Sequence, residues 1–200
     1  MTETNVENEK AQNGAPLSQT AGFSLWKCGQ SDADWPLGVR SYEAFEQFRS
    51  EYETAHEFGY GGVYGIAGAH TLKGFIVVNI VPEHLLPAGV SAAEIGTYLL
   101  PNYRGMGWNL RAKALSLAIC FEGYQVDWCL FAVPVSNGRA RRAFAKLPWA
   151  FEEEAAESGR FSAFTRRKTF ETQKECVVYS IHRSALESRE SGGALNPNGN

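Results

Sequence analysis

The sequence predicts a mixed α/β (α+β) domain whose central sheet is mostly antiparallel and contains one βαβ crossover. Three observations carry that expectation. Residues 62–69 and 74–81 (GFIVVNIV) are short apolar runs separated by a turn, the pattern of an antiparallel hairpin. Residues 93–100 (AEIGTYLL) lead through a glycine turn into a helical pattern. Residues 126–133 (VDWCLFAV) are then almost wholly apolar, as in a strand covered on both faces, and they follow the helix at the distance a parallel crossover needs.

The elements follow in order. Residues 1–22 are polar, poor in aromatics and without period, and 188–200 (SRESGGALNPNGN) read the same way, so both ends are expected to be disordered around a domain over 23–187. Ser41 can cap a helix in which Tyr42, Phe45, Phe48 and Tyr52 recur at helical spacing. A short turn around His70 to Lys73 joins the first two strands, and Pro101 ends the third. In the helix that follows, Leu110, Ala114, Leu117, Ala118 and Phe121 form an apolar stripe, with Arg111 and Lys113 turned away and Gly123 placed as a left-handed C-cap. Ser136 or Asn137 can cap a further helix to about Leu147, stopped by Pro148, and 176–182 (CVVYSIH) alternates as a last strand.

Composition narrows the function. The chain has 200 residues, is 44% hydrophobic and carries a formal charge of -3 with a pI near 5.9. That length can build its own core without a metal or disulfide. The acidic balance argues against a surface devoted to nucleic acid. No stretch approaches the roughly 20 apolar residues of a membrane span, and the acidic N-terminus has no cationic, then apolar, leader pattern. Cys28, Cys120, Cys129 and Cys176 are scattered, form no metal-ligand spacing and read as free thiols, consistent with a reduced, cytoplasmic setting. No metal is expected.

The informative stretch is 94–109, EIGTYLLPNYRGMGWN, a strand running into Arg104-Gly105-Met106-Gly107 and then a helix. Glycines let successive backbone N–H groups turn toward one point, the helix N-terminus adds donors and a positive dipole end, and Arg104 adds a charge. Such a turn suits a pyrophosphate. A Walker loop would need Gly-Lys-Ser/Thr, which is absent, and a dinucleotide fingerprint would need a third glycine where Leu110 stands.

On Arg104 and Gly107 the stretch resembles the acetyl-CoA signature Gln/Arg-x-x-Gly-x-Gly/Ala of the GCN5-related N-acetyltransferases (GNAT superfamily). The Glu-Ile-Gly strand, the Pro-x-Tyr-Arg-Gly-x-Gly turn and the closing His-Arg-Ser resemble its ribosomal-protein N-terminal acetyltransferase branch. Asn137 followed by Lys146-Leu147 resembles the Asn…Lys-Leu helix that flanks CoA in that family, and the likeness spans about 60–186. Two departures stand out. Asn109 occupies the signature's last small position, and Phe144 replaces the family's frequent tyrosine acid, so that position has no proton to give a thiolate.

The resemblance implies the GNAT fold and direct acetyl transfer from acetyl-CoA, the co-substrate, to a primary amine of a protein N-terminus, lysine or small molecule. It implies that CoA meets Leu99, Leu100, Arg104, Gly105, Met106, Gly107, Trp108, Asn109, Asn137 and Arg142. In the family, backbone N–H groups at the place of Leu99 and Leu100 polarise the thioester. Glu94 matches an acidic residue that serves as base, and Tyr103, or Tyr98, could supply a proton near the thiolate. His70, His84 and His182 have no recognisable partner that would make them bases. Arg139, Arg142 and Lys146 share one helix face beside Arg141, and Arg166-Arg167-Lys168 form a second basic cluster; these are solvated faces or surfaces for CoA phosphates or an acidic, tRNA or ribosomal partner. Homodimers through sheet edges also fit the resemblance. Asn109 and Phe144 motivate an alternative, a binding or regulatory module that keeps the fold without turnover.

Overall fold

The computed structural model describes residues 18–20, 23–27, 61–68, 71–147, 149–153 and 158–185. The expected helix from Ser41 and the residues Cys28, His70 and Pro148 lie outside them, as does the C-terminal stretch 188–200. The chain divides into two compact units, Met1–Ile80 with Ile95–Ile119, and Val81–Glu94 with Cys120–Asn200.

In the first unit the strands run in the order β1 (Ser18–Thr20), β2 (Phe23–Lys27), β3 (Gly61–Gly68), β4 (Thr71–Ile80) and β5 (Ala92–Leu99). The strand β1 falls within the first 22 residues, which the sequence alone assigns to a disordered tail; it pairs with β2 through Ser18↔Leu25. β3 and β4 form the expected antiparallel hairpin, with Val63 opposite Val77 and Tyr64 opposite Ile76. Val63, Tyr64, Ile66, Phe75, Ile76 and Val78 are all buried, so both faces of the hairpin are covered, which explains its unbroken apolar runs.

The second strand of the hairpin starts earlier than expected. Thr71 to Lys73 already belong to β4, and the carbonyl oxygen of Lys73 accepts a hydrogen bond from the N–H of Leu100 at 2.9 Å. Gly74 permits this approach, because a Cβ there would stand 2.1 Å from the carbonyl oxygen of Tyr98.

Helix α1 (Trp108–Ala118) follows β5 and packs on β4. Its buried residues are Ala112, Lys113, Ser116 and Leu117, whereas Leu110 is 53% exposed and Ala114 is exposed. The apolar stripe expected through Leu110 and Ala114 is therefore rotated, and Lys113, expected outside, is inside. The face that is covered is the one where Ala112 and Ser116 are small enough to let the helix lie close. Leu117 and Phe121 of the expected stripe are buried all the same.

In the second unit the first residues of β5 pair in parallel with β6 (Trp128–Pro134), as the crossover requires, over Ala92↔Trp128 to Glu94↔Leu130. β6 lies antiparallel to β8 (Cys176–His182), and β8 to the short β7 (Phe151–Glu152). Helices α2 (Gly138–Phe144) and α3 (Ser162–Thr172) complete the unit, and α3 packs on β6 and β8. Its core gathers Val81, Ala92, Leu130, Phe161, Phe164 and Val178.

Two helix ends differ from expectation. Gly123 is not a left-handed cap: α1 continues into a π-helical turn, Ile119–Gly123, and Gln125 takes the left-handed conformation at φ 56°. Arg183 satisfies the carbonyls there instead, donating at 2.8 Å to the oxygens of both Phe121 and Val126. A side-chain donor replaces the glycine device. Helix α2 stops at Phe144, three residues before Leu147, whose N–H returns to the Phe144 oxygen at 2.8 Å.

Candidate active site

The turn after β5 is built from consecutive short hydrogen bonds. The N–H of Tyr103 donates to Leu100 at 2.9 Å and that of Arg104 to Pro101 at 3.3 Å, closing a 3-10 turn that Pro101 starts. Gly105 (φ 86°) and Gly107 (φ 78°) then adopt left-handed conformations open to glycine at little cost. As a result the N–H groups of Gly105, Met106, Gly107 and Asn109 find no acceptor among the described residues. They lie at the amino end of α1, where the dipole favours an anion. A Cβ on Gly107 would meet nothing within 4 Å, so the space above the turn is open.

Arg104 is exposed, but its Nε donates to the Leu99 oxygen at 2.8 Å and its guanidinium lies 5.4 Å from the Tyr98 ring centre. The side chain is thus oriented while its terminal nitrogens meet no acceptor among the described residues. Met106 is 67% exposed and contributes backbone, not packing. Leu100 is buried, and its N–H is committed to Lys73, so the polarising donor expected at Leu100 is not spare. Strand alternation turns the N–H of Leu99 to the side opposite β4.

Asn109, the departure from the signature, is tied along its own helix. Its Oδ1 accepts from Lys113 Nζ at 2.9 Å, one turn on. A lysine ammonium only donates, so the carboxamide must present its oxygen inward and its NH2 group outward. Burial pushes the Lys113 ammonium down from the usual lysine range to about 8. The side chain that stands where a small residue is usual therefore belongs to a buried polar pair.

Lys73 is the residue that sequence reasoning missed, because it was assigned to the hairpin turn. Its Nζ sits 4.0 Å from the Tyr103 ring centre and 5.6 Å from that of Trp108. No sequence signal places it there: the neighbouring of β4 and β5, which sets Lys73 beside Leu100 and hence beside the turn, is a tertiary contact.

In the second unit Glu94 is half-buried and ion-paired. Lys168 Nζ lies 2.9 Å from Glu94 Oε1 and 2.8 Å from Glu171 Oε2. Burial opposes the Lys168 charge, but the two carboxylates outweigh it and hold its pKa above the ordinary lysine range. The basic cluster at 166–168 is accordingly divided: Lys168 turns inward, and Arg167 pairs with Glu171. Arg141 pairs with Glu152 at 3.2 Å.

Asn137 caps α2, its Oδ1 accepting from the Ala140 N–H at 3.1 Å, and Arg142 is exposed with a terminal nitrogen near Gly138. Phe144 is buried between Phe131 and Tyr179, stacked on the latter at 4.4 Å. The hydroxyl that Phe144 lacks occurs one ring away on Tyr179, but it donates to Glu152 at 2.6 Å. His182 is engaged by Ser184 and by the Trp128 ring, and His84 is exposed. Cys120, Cys129 and Cys176 are free and buried, and burial raises the Cys129 thiol well above its usual range.

Among solved structures, similarity extends over most of the chain. A spermidine/spermine N-acetyltransferase SpeG from Vibrio cholerae, in complex with manganese ions, is 16% identical with a TM-score of 0.55, covering 84% of this chain and 96% of that one. A dodecameric structure of the V. cholerae spermidine N-acetyltransferase gives 15% and 0.56, covering 84% and 97%. A protein from T. thermophilus, described as a candidate acetyltransferase, gives 22% and 0.56, covering 85% and 90%. The fold is that of the GNAT acetyltransferases. No family model matches the chain, and no curated protein sequence matches it. At these identities the GNAT likeness is one of architecture, so the chemistry must be argued from the turn and the residues around it.

Proposed function

We propose that this GNAT-fold chain is an acetyl-CoA-dependent N-acetyltransferase acting on a primary amine. The observation that carries the reading is the Arg104–Asn109 turn, where four backbone N–H groups without acceptors among the described residues and the oriented Arg104 surround open space at the start of α1. Those are the donors a pyrophosphate needs.

In this mechanism the amine nitrogen attacks the thioester carbon, the N–C bond forms, and the C–S bond breaks with its electron pair leaving on sulfur. The Leu99 N–H, directed away from β4, is the proposed donor to the developing oxyanion. A lysine acceptor with pKa of about 10.4 costs about 4.6 kcal/mol to deprotonate at pH 7, against about 1 kcal/mol for an α-amine. Glu94 is the proposed base, through water, and Tyr103 the proposed proton source for the thiolate. Asn137 and Arg142 are proposed CoA contacts on the strength of the family pattern. The acceptor class favoured by the motif is a protein N-terminus of the ribosomal type; the polyamine named for SpeG is the alternative to screen beside it. The dodecamer of that neighbour makes self-association worth measuring by light scattering, and buried free thiols suit a reduced, cytoplasmic setting.

A specific observation favours a second reading, a non-catalytic binding module: Glu94 is held by Lys168 and the family tyrosine is a buried phenylalanine. Calorimetric titration with acetyl-CoA, with NADH and ATP as controls, followed by an amine screen for CoA release, decides. Selective micromolar binding with turnover supports the enzyme. Binding without turnover on any amine supports the module, and absence of acetyl-CoA binding removes the enzyme and marks Asn109 as the sign of a lost site in such a module.

A further inference from the structure

We propose that Lys73 is the ligand for the 3′-phosphate of coenzyme A, with Tyr103 and Trp108 as aromatic faces beside it; this rests on the acetyl-CoA reading above. Lys73 reaches the turn from another strand. The Leu100 N–H bonded to its carbonyl oxygen and the close passage at Gly74 fix its backbone beside the end of β5. Its ammonium then lies 4.0 Å over Tyr103 and 5.6 Å from Trp108, one ring on each side of the glycine turn in sequence.

Ring quadrupoles attract and orient a cation, but they do not neutralise it. Among the described residues no carboxylate comes within ion-pair distance of Lys73. Lys168 and Arg141, by contrast, each meet an acid. An oriented, half-buried cation without an acidic partner among the described residues is suited to an incoming anion.

The pyrophosphate already has its own donors in the backbone of Gly105 to Gly107 and in Arg104. The charge left over in coenzyme A is the phosphate monoester on the ribose, near-dianionic at neutral pH. A compact ammonium suits a monoester as a point charge. The two rings also provide π-faces of the kind on which a purine stacks. Charge and aromatic surface therefore occur together, as the phosphoadenosine end of the ligand would require.

The test titrates the full chain with acetyl-CoA and with its analogue lacking the 3′-phosphate. The wild type is expected to bind acetyl-CoA about tenfold more tightly than the analogue. Lys73→Met should bind both ligands with the wild-type affinity for the analogue, and Lys73→Arg should keep most of the preference. A preference retained in Lys73→Met, or an equal loss on both ligands, overturns the assignment. So does a wild type indifferent to the 3′-phosphate, a result that needs no variant and is immune to folding defects. If the wild type binds neither ligand, the acetyl-CoA reading itself has failed, which is a different result from an indifferent wild type.

Discussion

The turn around Gly107 and the cluster around Glu94 are built on opposite principles. At the turn, backbone donors and the ends of Arg104 are oriented but unoccupied by the described residues. Around Glu94, acids and bases are matched to each other: Lys168 bridges Glu94 and Glu171, and Arg167 adds to Glu171. An anion can enter the first region without breaking any of these contacts, whereas any ligand of Glu94 competes with an ammonium already in place. Binding of a phosphate ligand is thus preorganised, and chemistry at Glu94 depends on an exchange of partners.

The contrast is broken most severely by Gly107→Trp. The position has open space around its missing Cβ, so the variant should fold apart from local strain at φ 78°. Its acetyl-CoA affinity should fall more than about a hundredfold, an effect of about 2.7 kcal/mol. Calorimetry showing unchanged affinity would remove the turn as the binding site.

Lys113→Met tests the buried side of the same region. With a native pKa of about 8 against 10.5, the unfolded state binds more protons between those values, so native stability rises with pH across that interval. At pH 7 the charge is a net cost, and the methionine variant should be more stable by on the order of 2–3 kcal/mol, less whatever the Asn109 hydrogen bond contributes. Urea denaturation at pH 7 and pH 10 should find the advantage shrinking at the higher pH. A constant difference would mean that folding does not lower the Lys113 pKa.

Glu94→Gln sharpens the second region. If the carboxylate is the base, kcat should fall by at least about tenfold with acetyl-CoA affinity unchanged. The variant should also lose part of the stability that the Lys168 ammonium gains from pairing. Because the Lys168 pKa is raised, that gain is present below the ordinary lysine range and disappears as pH rises through the folded value. An unaltered rate with reduced stability would assign Glu94 to structure alone.

The smallest effect is expected from Asn137→Ala, which removes the α2 cap and should cost about 1 kcal/mol of stability. Equal acetyl-CoA affinity in that variant would make Asn137 a cap only; a several-fold loss would give it the CoA contact that the family pattern implies.

Much of the architecture was legible because burial on both faces leaves a continuous apolar run, as in β4 and β6, and because β8 has the bounds its alternation predicts. The glycine turn was legible for a related reason: Gly105 and Gly107 mark backbone conformations that other residues resist. The buried face of α1 was not legible. Leu110 and Ala114 make one plausible stripe, Ala112 and Ser116 another, and the choice depends on how near the helix comes to its neighbour. Nor was the end of α1 legible, since Arg183 caps it from 57 and 62 residues away in the chain.

The sequence by itself determined the order of the main strands and helices, the place of the glycine turn and the absence of a tyrosine at Phe144, because each depends on residue type and local spacing. Only the tertiary structure decided which charges are matched and which are left over. Lys73, Lys113 and Lys168 are alike as letters. One is laid over aromatic rings, one is buried against an amide and one is clamped between two carboxylates. An ammonium's energy is set by the dielectric and the partners within a few ångströms, and only folding brings those partners into place.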